Sequence, residues 1–309
     1  MMKHDVIGTT GEQLSPYQRN VAETFEIGFA IQKDWKTWEV LAFYLGGVGA
    51  GLYVVAQFLH VTSALIVGYV LVVFGKNFAH LLASSRPQRS IRAFANPRTS
   101  WISRGAYCIV LFALFGGVEI ALRLGWIGNG ELIMGKAASL LAGVFAVMIM
   151  LYVGFVMAQS RIIPLWHSPL LPVTLLTYSL ALGAALGAVL LFLMEGDYKA
   201  GLLNQILFIS TALTLFLIFM QMLLLRGSSK TARISAELLM KGRLRGMFVG
   251  GVLILGLGVP ILLTAYSCFL GEPQKFLTLF AGLLTLGGGF WFESALLKAG
   301  IYCPLLDVK

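Results

Sequence analysis

The chain has 309 residues, 58% of them hydrophobic and 12% charged, with a net charge of +9. Soluble domains carry about 25% charged residues, so this composition, with a mean hydropathy of +0.84, excludes an ordinary soluble enzyme core. Hydrocarbon offers no partner to a bare N–H or C=O, so the long apolar runs are expected to be helices that satisfy their own backbone.

Residues 1–36 carry Lys3, Asp5, Glu12, Arg19, Glu23, Glu26 and Lys33, with no short apolar run ending at a small-residue cleavage site. They read as an extramembrane tail without a signal peptide. A crossing takes about 20 apolar residues, and the runs place spans at Trp38 to Phe58, Thr62 to Ala83, Arg104 to Leu124 and Lys136 to Gln159. Four more follow at Leu170 to Leu193, Leu202 to Leu225, Gly246 to Cys268 and Phe276 to Lys298. The reading is an all-α membrane protein of about eight transmembrane helices. Its membrane region is 37–300, with halves at 37–160 and 168–300, and 301–309 forms a C-terminal tail.

An even number of crossings puts the tail, the second, fourth and sixth connections and the C-terminus on one face. Of the 23 Lys and Arg residues, only Arg123, Lys136, Lys199 and Lys275 fall on the other face, leaving 19 on the first. That asymmetry supports the span count, and the positive-inside rule assigns the basic face and the N-terminus to the cytoplasm of a cell inner membrane. Net charge is thereby a topology signal, with no indication of nucleic-acid binding.

Two weak repeats suggest a division into two four-helix bundles. Tyr44-Leu-Gly-Gly-Val-Gly-Ala-Gly51 in span one resembles Tyr178-Ser-Leu-Ala-Leu-Gly-Ala-Ala-Leu-Gly187 in span five, and Arg104-Gly105 opens span three as Arg245-Gly246 opens span seven. Small residues at such spacing also serve close helix packing in their own right.

The three cysteines, Cys108, Cys268 and Cys303, form no Cys-x-x-Cys or Cys/His cluster. No iron–sulfur or zinc site of the chain's own is expected. Nor is a haem, because His4, His60, His80 and His167 offer no axial pair within the bundle.

Ionisable groups inside lipid are costly and usually face a cavity or a partner. Glu39 in the first turn of span one, His80 in the last turns of span two, Arg104 at the mouth of span three and Tyr152 about two turns before the end of span four share one depth at the basic boundary. The connection with Arg161, Pro164, Trp166 and Pro169 sits over the same corner. An apolar cleft with convergent donors there suits an amphiphilic ring such as a quinone entering sideways from the bilayer. A carboxylate and a His beside a Tyr hydroxyl would bind its two carbonyls and relay protons. Each residue also has a plainer reading. Interfacial Trp, Tyr and Arg anchor helices at headgroup level, Glu39 suits a helix N-terminus, and Glu119 with Arg123 one turn later makes a local ion pair.

Four stretches carry a resemblance: Tyr44-Leu-Gly-Gly-Val-Gly-Ala-Gly-Leu-Tyr53, Asn96-Pro-Arg-Thr-Ser-Trp-Ile-Ser-Arg-Gly-Ala-Tyr107, Arg161-Ile-Ile-Pro-Leu-Trp-His-Ser-Pro-Leu-Leu-Pro172 and Glu293-Ser-Ala-Leu-Leu-Lys-Ala-Gly-Ile-Tyr302. In this order and at these helix ends, from about Trp38 to Pro304, the chain resembles the NrfD/PsrC family, the integral membrane subunits of polysulfide-reductase-type respiratory complexes.

The resemblance implies a quinone-reactive subunit, not catalytic alone, that exchanges electrons between menaquinone or ubiquinone and a docked ferredoxin-like iron–sulfur subunit, itself often attached to a molybdopterin enzyme. It also implies a quinone pocket lined from the first turn of helix one and the later part of helix four. Tyr152, fourteen residues before Trp166, matches the family's helix-four Tyr, and Glu39 falls where a polar helix-one residue is expected. Ala42 stands where some members have His, and Ala83-Ser-Ser-Arg86-Pro87 replaces a frequent Asp-Leu-Gly-Arg-Pro. The expected site is therefore Tyr152 and Glu39 with His80, Arg161, Trp166 and Arg104, while Arg86, Arg89, Arg92 and Arg98 steer an acidic partner. A secondary transporter would show charges at the span centres, and a pure anchor would have no pocket.

Overall fold

The computed structural model describes residues 30–33, 35–84, 86–128, 133–194, 199–270 and 274–303. Within these, eight helices have the length and apolarity of membrane spans: Thr37–Leu59, Thr62–Ala83, Trp101–Arg123, Ile133–Ala158, Leu171–Leu193, Ala200–Gly227, Gly246–Phe269 and Lys275–Lys298. Their number is the one expected from the apolar runs, and the ends differ from expectation by three residues or fewer.

Local chemistry sets the ends. Spans one and two are separated only by His60 and Val61, and His60 takes a left-handed conformation (φ 59°) that closes the helix, its N–H donating to Ala56 and Gln57 carbonyls. Ser100 caps span three, its side chain accepting from the Ser103 N–H at 3.4 Å. Not anticipated from sequence are a 3-10 helix at Pro87–Phe94, a short amphipathic helix at Lys230–Met240 on the basic side, and π-helical stretches at Leu71–Lys76 and Gly246–Gly258.

Spans one to four neighbour one another in a closed cycle, and spans five to eight repeat that order. The halves meet mainly where span one crosses span five. Gly51 and Gly183 make that crossing, for a Cβ at either would overlap the backbone of the other helix. Two backbones approach this closely only over glycine.

The segment before span one and the segment after span eight pair as a short antiparallel ladder, β1 (Ala30–Ile31) with β2 (Ile301–Tyr302). Both therefore lie on the same face, which requires an even number of crossings. Residues 1–29, 34 and 304–309 of the two expected tails, with Lys3, Arg19 and Lys309, lie outside the described residues. One charge departs from its expected place: Lys76, counted among the basic-face residues, is wholly buried inside span two.

Candidate functional site

Gln32 ties the approach to span one. Its side chain donates to the Leu297 carbonyl at 2.9 Å and to the Trp35 carbonyl at 3.1 Å, and accepts from the Trp35 N–H at 3.0 Å. Trp35 is thereby held over the first turn, where its ring packs on Phe43 (centroids 5.5 Å) and Phe43 meets His80 edge-on at 5.8 Å. Glu39, three positions into span one, accepts from the Lys36 N–H at 2.8 Å and so satisfies one free donor at the start of the helix.

Span two changes pitch at Leu71–Lys76, and π-turns of this kind rotate the residues that follow and recur at functional sites. The Asn77 side chain donates to the Val73 carbonyl at 2.8 Å. The π-turn delivers Lys76 inward. Its stem lies along Gly46, where a Cβ would approach Cδ to 2.9 Å, and its Nζ donates to the Tyr152 hydroxyl at 2.7 Å. The Tyr152 ring rests against Gly105 of span three, at a spot a Cβ would occupy.

These groups border one cavity of about 560 Å³ between spans one to four at the basic end. This lies within the range of about 300–1,000 Å³ typical of small-molecule sites. Lys76, Asn77, His80, Glu39 and Tyr152 supply its polar lining, with Ser90, and the rest is apolar or aromatic. Spans two and three pack closely at mid-depth, where Tyr69 donates to the Ala113 carbonyl at 2.9 Å. Towards the basic end they flank the cavity, and the wall residues Leu81, Ile102 and Val110 are exposed towards lipid. The 3-10 helix roofs it through Ser90, Ala93 and Phe94.

The structure brings Glu39, His80 and Tyr152 together in this lining. Arg104, Arg161 and Trp166 lie outside it. Arg104 anchors the preceding turn, donating to the Pro97 and Arg98 carbonyls at 2.9 and 2.7 Å and lying 4.4 Å over the Trp101 ring. Trp166 is buried behind Trp35 (centroids 5.1 Å) and donates to the Leu296 carbonyl at 2.9 Å. Arg161 is exposed in its connection. Arg86, Arg89, Arg92 and Arg98 are exposed in and beside the roof. Lys76, Asn77 and Ser90 are the polar lining residues that sequence reasoning missed, and of these Lys76 is the one bonded to Tyr152. Lys76 sits about two turns inside the end of an apolar span with His80 four residues on, a spacing that puts both on one face.

Towards the opposite face a second buried cluster centres on Glu119. Its carboxylate accepts from Tyr53 at 2.6 Å, Gln57 at 2.7 Å, Ser139 at 3.0 Å and Arg123 at 2.8 Å. The expected local ion pair is present within this larger network. All four donors are already engaged with the carboxylate, which gives the cluster the character of a brace between spans one, three and four. Among the described residues no group of three or more His, Cys, Asp or Glu side chains is placed to hold a metal ion.

Comparison with known families matches residues 30–304 to the family described as polysulphide reductase, NrfD. Comparison with the curated proteins gives no match.

Proposed function

The chain belongs to the NrfD family, whose members are membrane subunits of respiratory oxidoreductase complexes, and from that premise we propose that the cavity between spans one to four binds a quinone head and exchanges its electrons with a docked iron–sulfur subunit. The observation that carries this reading is the cavity itself: about 560 Å³, apolar at its lipid side, with Tyr152, Lys76, His80 and Glu39 on its walls. An isoprenoid quinone, either menaquinone or ubiquinone, needs that polarity gradient, because its tail stays in lipid while its two carbonyl oxygens need hydrogen-bond partners.

The Tyr152 hydroxyl faces one oxygen and exchanges a proton with it, held in position by Lys76 on one side and Gly105 on the other. His80, kept in place by Phe43, serves the second oxygen. Glu39 stands nearest the basic face and connects the cavity with water there. Electrons pass through the roof to the iron–sulfur subunit, itself carrying a molybdopterin catalytic subunit. The exposed Arg86, Arg89, Arg92 and Arg98 attract its acidic surface and speed its docking. The one-sided positive charge supports a basic face in the cytoplasm of the inner membrane. A transporter is less well supported, because the polar groups of the cavity sit at one boundary and not at the midplane.

The test is Tyr152→Phe in the intact complex. Loss of a positioned proton donor is expected to lower quinone-linked turnover by roughly 100-fold or more, with the iron–sulfur subunit still bound. Unchanged turnover would remove Tyr152 from the chemistry.

A further inference from the structure

Behind the inner wall of the large cavity lies a second space of about 10 Å³, bordered by Phe43, Gly46, Lys76, Ser179 and Glu293 among others. That volume accommodates about one water molecule. Lys76, Phe43 and Val153 belong to the walls of both spaces, and the lysine is the polar member of the partition between them. On the far side the Glu293 side chain is buried, and its Oε2 has no hydrogen-bond partner. The hydroxyl of the adjacent buried Tyr178 is likewise unpartnered. Buried polar atoms are almost always hydrogen-bonded, so an orphaned carboxyl oxygen marks either a water partner or a group that works by changing its proton content.

We propose that Glu293 is the internal proton-holding group of the quinone site, connected to it by Lys76 and one ordered water in the small chamber. This rests on the quinone reading above. When a quinol is oxidised, two electrons leave for the iron–sulfur clusters of the docked subunit and two protons leave the two hydroxyls. One proton goes to His80 and out towards the basic face. For the other, Lys76 Nζ gives a proton to the chamber water as the water gives one to Glu293 Oε2. Lys76 is refilled from the Tyr152 hydroxyl, and Tyr152 from the quinol. Every relay group ends as it began except Glu293, which has gained the proton and, once the quinone has left, returns it along the same groups to His80 and the basic face before the next turnover. Quinone reduction runs the same steps in reverse. The chain of groups stays within spans two, four and eight, so the carboxyl takes its proton without direct contact with the substrate.

The experiment is infrared difference spectroscopy on the intact purified complex, cycled between its oxidised and quinol-reduced states in H₂O and D₂O. The expected result is a carboxylic-acid C=O band that changes with redox state, shifts in D₂O and is absent in Glu293→Gln. Turnover in that variant is expected to fall roughly 100-fold with quinone affinity unchanged. Ser179→Val keeps the carboxyl but fills the chamber, and should lose both the band change and most of the turnover, which decides the matter even if Glu293→Gln fails to assemble. A wild-type complex without a redox-linked carboxyl band, a band that survives in Glu293→Gln, or full turnover in Ser179→Val would overturn the proposal. Failure of the quinone reading looks different: the wild-type complex then binds no quinone at all.

Discussion

Gly105→Ala adds one methyl group at the position most tightly enclosed by the candidate site. The new Cβ would overlap the Tyr152 ring edge and stand 2.9 Å from its Cγ. The ring has little room to yield, since Tyr152 is buried and its hydroxyl is fixed by Lys76. Overpacking a filled core site costs about 1–3 kcal/mol. If that strain is relieved by moving the Tyr152 hydroxyl off its position, the same energy appears as a loss of roughly 5- to 150-fold in turnover. The assay is quinol oxidation by the purified complex, normalised to the bound iron–sulfur subunit. Gly246→Ala is the matched control, because the sequence pairs Arg245-Gly246 with Arg104-Gly105, yet a Cβ at Gly246 meets nothing within 4 Å. Gly105→Ala should slow turnover and Gly246→Ala should not. Equal rates in the two variants would refute the claim that Gly105 positions Tyr152.

Lys76→Met keeps the length of the buried stem but leaves the Tyr152 hydroxyl unpartnered. Turnover should fall by roughly 100-fold, as expected for a misplaced catalytic group, while Lys36→Met, in an exposed position outside the cavity lining, should leave the rate unchanged. Glu119→Ala removes the acceptor shared by Tyr53, Gln57, Ser139 and Arg123. Each buried group left without a partner costs about 1–3 kcal/mol, so a thermal unfolding scan in detergent should show a clear loss of stability, with turnover per assembled complex retained. Gly51→Leu forces a side chain into the Ser179 backbone at the junction of the two halves. The protein should fail to accumulate in the membrane, and normal accumulation on an immunoblot would show that the crossing tolerates separation.

The eight spans and their one-sided charge were legible because both depend on local composition. An apolar run of bilayer length must be a helix, and the distribution of Lys and Arg needs no tertiary knowledge. Depth was legible too, since alternating helix direction put Glu39, His80 and Tyr152 at one level, and the structure gathers all three around one cavity. Direction around each helix was not. Arg104 and Arg161 share that level but turn elsewhere, and Trp166 supports the wall from behind. Lys76 escaped notice because its burial depends on a π-turn and on the space left by Gly46, neither of which has a signature in hydropathy. The spacing of Glu119 and Arg123 announced an ion pair, but Tyr53, Gln57 and Ser139 come from other helices and join it only in three dimensions.

The central claim is that the cavity bounded by spans one to four is where a quinone head binds. Its most direct test is a density map of the intact complex with quinone added. The head is expected within hydrogen-bond distance of the Tyr152 hydroxyl, with the tail leaving past Leu81 and Ile102 into lipid. A head resolved among spans five to eight, or at the face opposite the Arg86 to Arg98 segment, would contradict it.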